Sequence, residues 1–165
     1  MSAIYKRELS SYFNSMIGYV FIAVLVFFTG IYFMAYNLYS GLPQFSYTLY
    51  SLMTILMFAM PLLTMKSMAE ERRSRTDQLL LTAPVSLTGV VMGKFLAMAT
   101  IFLIPVALCA FCPLIIAMNG EARLLSDYAA LLAFFLMGCV FIAIGMFLSS
   151  LTESQIIAAV GTFGL

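Results

Sequence analysis

Between residues 66 and 85 the chain reads KSMAEERRSRTDQLLLTAPV, a stretch holding four of its eight basic residues and three of its seven acidic ones. Guanidinium and carboxylate groups at this density, followed by three consecutive leucines, suit recognition: charges set the register of a contact and the leucines bury in it. The chain offers no catalytic set to go with them, since it has no histidine and no nucleophile with a base placed beside it. A phosphate-wrapping loop needs G-x-x-x-x-G-K-[ST], and the nearest approach fails twice. Only three residues separate Gly89 from Gly93, and Phe95 follows Lys94. Gly89, Gly93, Gly145 and Ser149 read instead as small residues that let helices approach closely in lipid. Cys109 and Cys112 have the spacing of a redox or metal motif, but with Cys139 they fall in apolar runs and read as packing.

The elements that must position the charged stretch are membrane spans. With 64% hydrophobic residues, 9% charged residues and a mean hydropathy of +1.07, the composition is that of an integral membrane protein. A net charge of +1 gives no reason to expect nucleic acid as a partner. The fold class expected is all-α, a polytopic transmembrane helical bundle with spans at about 17–36, 48–65, 95–118 and 128–150. A fifth apolar run begins at 155, and its 11 residues to 165 would rise roughly 16 Å, about half a bilayer, so the chain is expected to be the N-terminal part of a longer protein, one domain throughout. The first span is too long and too polar in its approach to be a cleaved signal peptide.

Orientation follows from the basic residues, which resist translocation. Lys6, Arg7, Lys66, Arg72, Arg73, Arg75 and Lys94 fall on one side of the predicted spans and Arg123 alone on the other, which places the N-terminus in the cytoplasm. Lys94 is expected to snorkel to that interface. Ahead of span one, Tyr5, Leu9, Tyr12, Phe13 and Met16 recur at helical spacing with Lys6 on another face, the pattern of an interfacial helix with its aromatic face at the acyl boundary. The spans are expected to hold no ion or proton route, and Ser51, Thr54 and Thr100, with the many Met and Phe residues, are candidates to line a path for an amphiphilic substrate. Pro61, Pro105 and Pro113 are candidate kinks.

Within the charged stretch, Ser67 and Glu70 have capping-box spacing, and Glu70 and Glu71 precede Arg73 and Arg75 at helical intervals. Thr76 and Asp77 can cap a short helix over 78–82, which Pro84 stops. Charged at its start and leucine-rich at its end, such a helix suits docking in a groove on a soluble partner or lying on the bilayer, and a solvated loop is the third reading.

Residues 65–73 and 76–86, ending in Gly93-Lys94-Phe95, together with AIYKRELSSYF at 3–13 and SSLTESQ at 149–155, resemble the permease subunits of type-2 ABC transporters. Within that superfamily the likeness is nearest to permeases associated with bacterial gliding motility. The resemblance implies that 66–86 is the cytoplasmic coupling segment between spans two and three. Glu70, Glu71, Arg72, Arg73, Thr76, Leu79, Leu80, Leu81 and Pro84 would seat in an ABC ATPase subunit, while Tyr5, Lys6, Arg7, Leu9, Tyr12 and Phe13 would form the interfacial elbow. Arg75 and Gln78 depart from the family's usual glycine and glutamate. The function implied is a permease without a nucleotide site, probing no cofactor of its own and relying on ATP and magnesium in the partner. It would pair with a second copy or paralogue in a bacterial plasma membrane and export its substrate. A scaffold that recruits a cytoplasmic protein without moving any solute is the alternative.

Overall fold

In hydrocarbon an unpaired amide or carbonyl finds no water, so long apolar runs fold as helices that satisfy their own backbones. The computed structural model describes residues 2–64, 87–119 and 123–151, and no strand occurs among them. Helix α1 (Ser2–Asn14) is separated by Ser15 alone from α2 (Met16–Tyr32), which continues into a π-helical segment, Phe33–Tyr39. There follow α3 (Ser46–Thr64), α4 (Leu87–Cys109), α5 (Phe111–Asn119) and α6 (Leu124–Leu151). Among the described residues three stretches are long and apolar enough to cross a membrane: Met16–Tyr39, Thr88–Met118 and Leu124–Leu148. The 19 residues of α3 rise about 28 Å, and this helix packs against both α2 and α6. The chain is thus an all-α, polytopic transmembrane bundle. Phe27, Leu132, Leu136 and Val140 face outward, as a lipid solvent permits.

The third apolar run is helical from Leu87, eight residues ahead of the span expected at 95–118, and its helix breaks at Ala110. Pro113 has no amide proton to give the carbonyl of Cys109, and the amide of Ala110 is shared between the carbonyls of Val106 and Ala107 at 3.1 and 3.2 Å. Pro61 and Pro105 lie inside α3 and α4, whose helices continue through them.

At the centre of the bundle Phe102 stacks on Phe135 with ring centroids 5.8 Å apart and planes 6° from parallel, and meets Phe21 and Phe134 at 6.3 and 5.8 Å. Gly138 makes this possible, because a Cβ there would collide with the Phe102 ring. Gly145 does the same for Thr64, whose side-chain atoms would lie 2.5 to 2.8 Å from an added Cβ. The expected role of Gly145 in close helix packing is therefore met; Gly138 was not among the expected contacts.

The two ends of α3 are held differently. At its start, Asp127 from the first turn of α6 is fully buried and its Oδ1 accepts the amide proton of Phe45 at 3.0 Å. An anion at a helix N-terminus is favoured by the orphan amides and the macrodipole, so α6 supplies the cap that α3 lacks. Beside it the π-helical segment turns Asn37 inward, where its Nδ2 donates to the carbonyls of Leu42 and Gln44 at 2.8 and 3.1 Å and its Oδ1 accepts from Thr48 at 2.8 Å. Gly41, at φ +68, supplies the left-handed residue that the intervening turn requires.

Two stability predictions follow from these contacts. Asp127→Ala should cost roughly 1–3 kcal/mol through the lost charge-assisted cap, and Asp127→Asn should recover at least half of that because the acceptor remains. Gly138→Ala should cost about 1–3 kcal/mol through overpacking. Gly30→Ala, with nothing within 4 Å of the new Cβ, should cost nothing. Thermal unfolding of the detergent-solubilised protein checks all four.

Candidate functional site

Helix α1 forms because Ile4, Tyr5, Glu8, Leu9 and Tyr12 recur at intervals of three and four residues, and that stripe turns toward the bundle. Ile4 lies against Gly93 of α4, where an added Cβ would meet its Cγ2 at 3.0 Å. The Tyr5 hydroxyl lies 3.0 Å from Thr100 Oγ1, which itself donates to the carbonyl of Leu96 at 2.8 Å, so Tyr5 is the donor of that pair. One turn on, Glu8 Oε1 lies 3.5 Å from Lys94 Nζ. The Tyr12 hydroxyl crosses to the other neighbouring helix and donates to the carbonyl of Leu63 at 3.3 Å, next to the last residue of α3.

These four contacts place α1 across the bases of both helices that flank residues 65–86. The expected coupling residues Glu70, Glu71, Arg72, Arg73, Thr76, Leu79, Leu80, Leu81 and Pro84 lie outside the described residues. What the structure provides is the frame from which they depart, at Thr64, and to which they return, at Leu87. Of the expected α1 residues, Lys6 and Arg7 are exposed, Leu9 and Phe13 are half-buried, and the Phe13 ring meets Tyr19 edge-on at 6.0 Å. Tyr12 was expected on a lipid-facing side, yet it is buried against protein.

Lys94 also departs from expectation. It does not snorkel but is 1% exposed and faces Glu8, itself 13% exposed. The early start of α4 explains this: Lys94 stands two turns inside the helix and points at α1, which covers it. With Asp127 buried at the opposite end, two formally charged side chains are enclosed among the described residues, each just ahead of a span expected from 95 or 128. The signal was present at Glu8, a carboxylate on the buried stripe of α1, which demands a cation from the facing element.

The residues expected to line a path divide. Thr100 is committed to Tyr5 and Leu96, Ser51 donates to the Tyr36 hydroxyl at 3.4 Å, and Thr54 is exposed on α3. A cavity of about 260 Å³ does open between α2 and α3, but its lining, Val20, Phe21, Val24, Phe28, Ile55, Phe58 and Ala59, is wholly apolar. Cys109, Cys112 and Cys139 are free thiols, and Cys109 packs with its sulfur 3.5 Å from Thr29 Oγ1. Among the described residues no cluster of His, Cys, Asp or Glu could hold a metal ion.

Comparison with known proteins places this arrangement. No curated protein and no solved structure matches the chain. The family model described as ABC-2 family transporter protein matches residues 35–165, which is most of the chain and includes both helix bases and the stretch between them. The bundle of apolar helices and this match agree, and the chain belongs to the ABC-2 family of transporter proteins as a membrane-embedded permease subunit.

Proposed function

We propose that this permease is driven by a separate ABC ATPase subunit, which seats on residues 66–86 and holds the ATP and magnesium that the permease does not bind. The observation that carries the reading is the common origin of the charged stretch and α1. Both helix bases lie at the α1 end of the bundle, where Lys6 and Arg7 are exposed, whereas Arg123 lies with Asp127 at the other end. This asymmetry supports a cytoplasmic N-terminus in a bacterial plasma membrane, with the coupling segment facing the cytoplasm and α1 lying at the interface. The resemblance to type-2 ABC permeases supports outward movement of the substrate, and the apolar opening between α2 and α3 supports an amphiphile as cargo. Pairing with a second copy or a paralogue completes the transporter.

In this reading closure of the ATPase displaces residues 66–86, and α3 and α4 carry the displacement into the membrane. Such coupling needs the ATPase to bind one permease conformation better than another, since equal affinity shifts nothing. Replacing Glu71 or Leu80 by Ala should lower permease-dependent ATP hydrolysis roughly tenfold, the effect of losing about 1.4 kcal/mol of differential binding, with membrane insertion unchanged. The measurement is ATPase activity of the complex purified from membranes and reconstituted in liposomes. Recovery of a cytoplasmic partner that hydrolyses no ATP would instead favour the scaffold.

A further inference from the structure

We infer that α1 ties the helices on either side of residues 65–86 to the first span, so that a displacement at Thr64 or Leu87 moves α2 as well as α3 and α4, and that Glu8 and Lys94 are the positioning pair that holds the tie. This rests on the proposed ATPase coupling and extends it to a helix that does not adjoin the coupling segment in sequence. Three observations carry it. First, one face of one 13-residue helix touches both bases: Ile4, Tyr5 and Glu8 meet α4 at Gly93, Thr100 and Lys94, and Tyr12 meets α3 at Leu63.

Second, the corner between α1 and α2 is tight. A Cβ on Gly18 would lie 2.8 Å from the carbonyl oxygen of Tyr12, and Ser15 Oγ donates to that same oxygen at 3.1 Å. With α1 pressed onto the first turn of α2, it has little freedom to swing while α2 stays still.

Third, the contacts differ in how they resist sliding. Ile4 against Gly93 is a van der Waals contact, which a shift along the helix replaces at little cost. Glu8 and Lys94 are opposite charges 3.5 Å apart with the Lys94 side chain 1% exposed, and drawing them apart in a low-dielectric setting is strongly resisted. The ion pair is therefore the contact most able to make α1 follow α4.

The experiment uses the complete permease in complex with its ATPase in liposomes. A fluorophore is placed at Met16, the 84% exposed first residue of α2, in a background with Cys109, Cys112 and Cys139 replaced by alanine and wild-type activity retained. Trapping the ATPase with nucleotide should change the fluorescence at Met16. Glu8→Gln and Lys94→Met should abolish that change and lower stimulated ATP hydrolysis about tenfold with the ATPase still co-purifying in full, and the charge swap Glu8→Lys with Lys94→Glu should restore activity to within about threefold. A nucleotide-dependent signal that survives both single variants, or a folded swap without rescue, overturns the inference. Should the charge-removing variants fail to assemble, Glu8→Asp keeps both charges and widens the gap by one methylene; a reduced Met16 signal supports the tie and an unchanged one overturns it. Failure of the wild-type permease to stimulate any ATPase would refute the proposed function itself, a result separate from all of these.

Discussion

The absence of water around the spans is the constraint on which the rest of this structure depends. A polar group that enters such a bundle must find its partner within the protein, and each enclosed polar side chain accordingly marks a place where two elements are fastened. Thr29 donates to the carbonyl of Leu25 within its own helix and meets the Cys109 thiol of α4 at 3.5 Å. Asn37 binds the turn that follows it, Asp127 binds the start of α3, and Lys94 binds α1. The apolar side chains between them set distance through packing, and these few polar contacts set register.

The two ends of the bundle use this constraint in different ways. At the Asp127 end most partners are backbone groups, the amide of Phe45 and the carbonyls of Leu42 and Gln44, with Thr48 on Asn37 as a side-chain contact, and the contacts close the fold. At the α1 end the partners include two side chains on separate helices, Glu8 and Lys94, and a hydroxyl reaching a terminal carbonyl at Leu63. Side chains on separate helices can keep their contact while both helices move together, so the end that adjoins residues 65–86 is fastened helix to helix.

How much of this was legible in the sequence depended on the range of the interaction. The helical runs were legible because apolarity over about 20 residues is a local signal, and three of them meet the requirement for crossing. The helix before the first span was legible from the spacing of Tyr5, Leu9 and Tyr12, but its stripe was read as facing lipid because nothing local distinguishes lipid from another apolar helix as the surface covered. The Glu8 and Lys94 pair spans 86 residues, and the Asp127 cap joins residues 82 apart, as 94 − 8 and 127 − 45 show. An acidic residue in the first turn of α6 reads locally as a cap for its own helix. Its service to α3 appears only when the helices are packed. The break at Ala110 lay between these cases, since Pro113 announced a disturbance without fixing its place.

The π-helical segment at Phe33–Tyr39 carries a consequence for how this protein can change over generations. A wide turn accommodates one residue more than an α-helix would over the same rise, and it absorbs that residue without disturbing the packing on either side. Removing a single residue there would let the helix close to ordinary pitch while turning Asn37 by about 100° away from Leu42, Gln44 and Thr48, given 3.6 residues per turn. Insertions and deletions in this connection are therefore not interchangeable with those in an ordinary loop: descendants that keep the asparagine must keep the count of residues before it.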